Sequence, residues 1–152
     1  MDLSGSLPIH VPPAEVARLI HDPLMLAALV PACRAVQETA PGHYTAQIEY
    51  AAGPVPIRFQ ALITVIPVQP GQTYEMQIKG GTLVTGVVTV ANLITLHPTA
   101  RGCRLEYAGT LSATGIARRM LLGREDALRT RTTRIFYRLK AEIEQAWRRN
   151  TA

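Results

Sequence analysis

The chain has 152 residues, 47% of them apolar and 18% charged, with a formal charge of +5 and two cysteines. At this length about 70% of the unfolded chain's surface can be buried, so one core forms without staples, and the composition excludes a disordered or collagenous chain. Cys33 and Cys103 stand far apart with no metal-type spacing, which argues against a zinc site and a disulfide framework.

Leu3 to Val11 alternates loosely and contains Pro8, as an edge strand does. Pro12, Pro13 and Glu15 then open a short helix carrying Val16, Leu19 and Ile20. Asp22 caps a second one, with Pro23 at its first position; Leu24 to Val30 is apolar nearly all round and is expected to be buried or to line something.

From Val36 to Thr114 the period changes to two. Tyr44, Ala46, Ile48 and Tyr50 form one stripe. Ile57, Phe59, Ala61, Ile63 and Val65 form the next, followed by Tyr74, Met76 and Ile78, and later by Cys103, Leu105, Tyr107, Gly109 and Leu111. Pro41-Gly42, Gly53-Pro54, Pro70-Gly71, Gly80-Gly81 and Pro98 to Gly102 read as the turns of an antiparallel meander. Leu83 to Leu96 is apolar on both faces, which suits a strand covered by its neighbours or a dimer surface spanning Val84 to Leu96. It is too short and too polar to span a bilayer, and Met1 to Leu7 lacks a basic start, so a soluble cytoplasmic protein is expected.

Gly115 to Arg149 reads as one long helix, with Leu128, Thr132, Ile135, Leu139, Ile143 and Ala146 along one stripe and Gly123 marking a kink or break near its start. From Gly115 onward ten basic residues face four acidic ones, a charge of +6, whereas residues 1–114 carry six against seven, or −1.

The order is strand, two short helices, about six strands, long helix: one α+β domain over residues 1–152. A single helix about 10 Å across cannot fill the hollow of a curved sheet of six to seven strands. The chain has only two Phe and one Trp. Small inward side chains leave volume, so an apolar cavity is expected. Its lining is assigned to Leu26, Leu29 and Val30, to Phe59, Met76, Ile78, Tyr107 and Leu111, and to Met120, Leu128, Thr132 and Ile135. Tyr107 and Thr132 would orient a polar head group.

The run Val16-Ala17-Arg18-Leu19-Ile20-His21-Asp22-Pro23, followed by Leu26 and Val30-Pro31-Ala32-Cys33, resembles the corresponding segment of the family of aerobic carbon monoxide dehydrogenase G-subunits. Gly53-Pro54-Val55, Phe59, Gly80-Gly81 with Gly86, and Leu105-Glu106-Tyr107 extend the match along nearly the whole chain. Ala17 stands where the family has Trp, and Pro31-Ala32 where it has Pro-Gly. The chain stops at Ala152, short of the linker and membrane-associating tail of longer members, so no anchor of that kind is expected. The resemblance implies the START-like, birch-pollen-allergen-like helix-grip fold. It also implies a non-catalytic accessory to a molybdenum hydroxylase-type dehydrogenase, associated with membrane recruitment of that enzyme, that binds a lipid-like or quinone-like molecule.

Two other classes compete. A cyclase- or hydrolase-type enzyme would use Tyr50, Tyr107 and Thr132 inside the cavity. An interaction module would use the band of Arg118, Arg119, Arg124, Arg129, Arg131, Arg134 and Arg138 toward an acidic protein or an anionic membrane surface. Nucleic acid is not expected, because no reader motif accompanies the arginines. His10, His21, His43 and His97 share no spacing, no phosphate loop is present, and no metal or cofactor is expected.

Overall fold

The computed structural model describes residues 1–30, 33–52, 54–82 and 86–151, without the side chains of residues 29, 50–52, 55–57 and 82. The elements follow as β1 (Gly5–Ile9), α1 (Pro13–Leu19), α2 (Pro23–Leu29), β2 (Cys33–Ala40), β3 (His43–Ala52), β4 (Val55–Gln69), β5 (Thr73–Thr82), β6 (Gly86–Thr99), β7 (Gly102–Ala113), α3 (Gly115–Leu121) and α4 (Glu125–Thr151). The strands make one antiparallel sheet in the order β1-β7-β6-β5-β4-β3-β2. β2 to β7 form a simple meander, and α1 and α2 carry the chain from one sheet edge to the other. This is the α+β element order expected from the alternation, arranged as the helix-grip fold that the resemblance implies.

Local chemistry sets the ends of the short helices. Pro13 opens α1 behind Pro12, and the Asp22 carboxylate accepts from the Leu24 amide at 2.9 Å to cap α2. The Tyr44 hydroxyl donates to the His21 carbonyl at 2.8 Å, pinning the α1–α2 corner onto β3. Burial, with neighbouring Glu38 and Asp22, pushes that hydroxyl up to about 12.

One sheet face is buried. Registers align its side chains in rows: Leu7, Leu105 and Leu96 in one; Tyr107, Ile94 and Tyr74 in the next; then Gly109, Asn92, Met76 and Val65. These residues belong to or border the continuous core, which reaches α4 through Phe136, Leu139 and Ile143. Cys33 and Cys103 are free thiols, and burial pushes Cys103 upward.

α4 runs alongside the edge strand β1, parallel to it. Arg129 donates to the Asp2 carbonyl, Lys140 to the Pro8 carbonyl at 2.8 Å, and the Glu144 carboxylate accepts from the His10 amide at 2.9 Å. Fifteen residues of helix rise about 22 Å and eight of strand about 26 Å, so the two keep pace. Among the described residues no helix is long and apolar enough to cross a membrane.

Two expectations are corrected. Gly115 to Arg149 is not one helix: α3 ends at Leu121 and α4 starts at Glu125, because the chain turns through Gly123 at φ +78°, a conformation that favours glycine. Gly80-Gly81 is not a turn: both residues lie in β5, paired with Val88 and Val87. Gly80 instead makes room for the Phe59 ring, which would stand 3.2 Å from a Cβ there. β6 lies between β5 and β7, as a strand covered by its neighbours does, with Leu93 exposed on its outer face. Residues 83–85 lie outside the described residues.

Glu144 supplies a prediction. Burial would raise its carboxyl, but hydrogen bonds from Lys140 and the His10 amide together hold it below the usual range. A depressed carboxylate stabilises the fold above its unfolded-state value and loses that contribution as pH falls through the folded one. Glu144→Gln should therefore cost about 1–2 kcal/mol at neutral pH. In urea unfolding the deficit should shrink below about pH 4.5; a pH-independent deficit would refute the ion-pair account.

Candidate functional site

The inner face of the sheet changes character along its length. Beyond the row of Gly109, Asn92 and Met76, the next row runs Leu111, Val90, Ile78 and Ile63, and the one after it Ala113, Val88, Gly80 and Ala61. Ile63 and Ala61 stay buried, but Ile78, Val90, Leu111, Val88 and Ala113 are only half-buried. The facing residues of the first half of α4, Leu128, Thr132 and Ile135, are half-buried too. The interior therefore has a packed end and an open end.

Aromatic stacking fills the packed end. Tyr107 on β7 lies flat on Phe136 of α4, ring centroids 3.8 Å apart and planes within 4°. The Tyr107 ring fits because Gly5 opposite has no side chain: a Cβ there would stand 2.6 Å from its hydroxyl. Leu139 and Ile143 continue the seal toward α1 and α2.

At the open end lies a solvent-open groove of about 460 Å³, lined by Met1, Leu111, Ser112, Ala113, Arg118, Leu121, Leu122, Glu125 and Arg129. It sits where the N-terminal segment ahead of β1 ends its pairing with β7, at Met1 and Leu111, and where α3 turns into α4. The volume falls within the range of small-molecule sites. Leucines, Ala113 and Met1 provide apolar wall, and Arg118, Glu125 and Arg129 provide charge. Thr114 holds the base of α3: its Oγ1 accepts from the Val87 amide and its own amide donates to the Val87 carbonyl, both at 3.0 Å. Gly86, at φ +89°, allows this approach, because a Cβ there would collide with the Thr114 carbonyl.

Of the residues expected to line a cavity, Leu111 lines this groove. Leu26, Met76 and Tyr107 are buried in the core, and Val30, Phe59, Ile78 and Ile135 pack against it. Leu128 and Thr132 flank the open end from α4. Thr132 donates its hydroxyl to the Leu128 carbonyl at 2.9 Å, so that proton serves the helix itself. Met120 sits on α3, 66% exposed, and does not join the interior; the break at Gly123 separates it from the long helix. The side chains of Leu29 and Tyr50 lie outside the described residues. Met1, Ser112, Ala113, Leu121, Leu122 and Glu125 were not anticipated, and Arg118 and Arg129 were named only as part of the arginine band. The signal that could have found several of them was Gly123, which places a helix break, and hence a gap, at this corner.

The hydroxyls of Tyr44 and Tyr74 are engaged by backbone, Tyr74 accepting from the Gly71 amide at 2.8 Å. Asn92 is the buried polar residue of the inner face, and its Oδ1 has no hydrogen-bond partner among the described residues. Among those residues, no three His, Cys, Asp or Glu side chains come together as a metal site would require. The arrangement is suited to enclosing apolar matter, with ionic groups at its rim.

Comparison with known proteins places this geometry. A family model described as the carbon monoxide dehydrogenase G-subunit (CoxG) matches residues 5–146. No curated protein matches the sequence. Among solved structures, a conserved protein from Geobacillus kaustophilus is similar at 22% identity and a TM-score of 0.74, covering 96% of this chain and 97% of that one. Ara h 8.0201 is similar at 17% identity and a TM-score of 0.64, covering 94% and 97%. The di-domain ARO/CYC StfQ of the steffimycin biosynthetic pathway is similar at 13% identity and a TM-score of 0.58, covering 95% of this chain and 51% of StfQ. These likenesses establish the shared fold.

The two-ended interior makes a differential prediction. Phe136→Ala should destabilise the protein by about 3–5 kcal/mol, whereas Leu128→Ala at the open end should cost about 1 kcal/mol or less. Chemical denaturation of both variants measures the difference, and equal costs would contradict it.

Proposed function

Because this chain belongs to the carbon monoxide dehydrogenase G-subunit (CoxG) family, we propose that it is a non-catalytic carrier. It holds a hydrophobic, lipid- or quinone-like small molecule at the open end of the sheet–helix interior and serves a molybdenum hydroxylase-type dehydrogenase. The observation that carries this reading is the line of half-buried apolar side chains, Ile78, Val90, Leu111 and Val88, continuing a buried face up to an open groove. Left bare, such a surface is costly in water. A guest burying about 200 Å² of apolar area there gains roughly 5 kcal/mol, before the cost of immobilising it. The ionic rim of Arg118, Glu125 and Arg129 suits a guest with a polar end at the mouth. The apolar wall favours holding a molecule over transforming it, and the Thr132 hydroxyl already bonds the Leu128 carbonyl.

Native mass spectrometry of freshly isolated protein tests this directly. The expected result is an added mass that organic solvent releases as a lipophilic compound. Ala113→Trp, which fills the groove, should abolish the added mass while the folded-state circular dichroism is unchanged. A bare chain mass persisting after incubation with lipid and quinone extracts would overturn the carrier reading.

A further inference from the structure

The outer face of the sheet carries apolar side chains that the fold leaves bare. Ile63, Val65 and Ile94 point into the core, so Leu62, Ile66 and Leu93 beside them point away from it. Leu62, Ile66 and Leu93 are 56%, 47% and 43% exposed, and Val68 on the same strand is 59% exposed. Pairing gathers them across three strands. Ile66 lies beside Glu75 and Glu75 beside Leu93, while Leu62 lies beside Lys79 and Lys79 beside Thr89. β5 is the middle strand of the seven, so the patch stands at the crest of the outer face. Contiguous exposed apolar patches mark interaction surfaces.

The charges of this patch complement each other only across two copies. Glu75 and Lys79 are exposed, and among the described residues neither is in an ion pair. Four residues apart on one strand, they stand about 13 Å from each other, too far to pair within a chain. Between their two rows lies a third, of Thr64, Gln77 and Ala91. A second copy laid face to face, turned about a two-fold axis along that middle row, brings each Glu75 opposite the partner's Lys79. The same operation sets Ile66 opposite the partner's Leu62. Sheets packed face to face lie about 10 Å apart, within the joint reach of a glutamate and a lysine.

We propose that the outer face of β4, β5 and β6 is a self-complementary interface that joins two copies of this chain. The wider charge distribution suits this occupant. The net charge of +5 opposes self-association, but its excess lies from Gly115 onward, in α3 and α4. α4 packs on the inner face through Phe136, Leu139 and Ile143. Contact through the outer faces therefore holds the two arginine bands apart. The interface stands on the outer face alone and is independent of the carrier reading above.

Sedimentation equilibrium of the full chain over a range of concentrations tests it. A reversible equilibrium between monomer and dimer is expected, with no larger species. Glu75→Lys alone, or Lys79→Glu alone, sets like charges against each other at both symmetry-related contacts. Each should weaken the dimer by about tenfold or more. The double variant, Glu75→Lys with Lys79→Glu, restores opposite charges and should dimerise as the parent does. Ile66→Asp should weaken the dimer without rescue by either. All three positions are exposed, so thermal unfolding of the monomer should match the parent. A chain that stays monomeric at millimolar concentration would overturn the interface. So would single charge reversals without effect, or a double variant that dimerises no better than the singles. Pelleting of a monomeric chain with phosphatidylcholine vesicles, lost in Ile66→Asp, would also overturn it and give the face to a lipid surface instead.

Discussion

A helix about 10 Å across cannot cover a sheet whose seven strands, at about 4.8 Å spacing, span roughly 29 Å. Where the helix touches decides what the interior becomes. Here it touches along one edge, following β1, and presses hardest where Phe136 lies on Tyr107. From that stack toward Ile143 the space is closed by α1, α2 and the second half of α4. In the other direction the helix has only Leu128, Thr132 and Ile135 to offer, the N-terminal segment ends its pairing with β7 at Met1 and Leu111, and the apolar floor comes into view.

The polar ties make that placement specific. Lys140 and Glu144 bond each other and also take backbone groups of Pro8 and His10. Arg129 reaches Asp2 at the opposite end. Each uses a group that an edge strand leaves unpaired, so the helix doubles as the cover that protects the edge. The same contacts fix the tilt of α4 against the sheet, and thereby the size of the gap at α3. Stability and the candidate site share one set of bonds.

Much of this was legible from residue order. Period-two stripes such as Tyr44, Ala46 and Ile48 or Cys103, Leu105 and Tyr107 mark the buried face, because alternation is enforced by the pleat. Asp22-Pro23 and Pro12-Pro13 place the short helices for equally local reasons. The candidate site was far less legible. Phe136 shares a helical stripe with Leu139 and Ile143, yet Ile135 beside it also faces inward in part, and spacing alone cannot tell filler from wall. Met120 was misplaced because one glycine, Gly123, decides whether α3 continues into α4. Gly80-Gly81 carries a turn signature, but strand pairing with β6 overrides it. Residues such as Ser112 and Arg129 meet only through register and helix placement, which are tertiary facts.

The central claim is that one interior has a sealed end and a guest-accepting end. Methyl NMR during titration with a lipophilic quinone tests it most directly. The account predicts shifts confined to Ile78, Val88, Val90, Leu111, Leu128 and Ile135, with Ile9, Ile94, Leu105 and Ile143 unmoved. Shifts spread evenly through both sets, or none at saturating quinone, would contradict it.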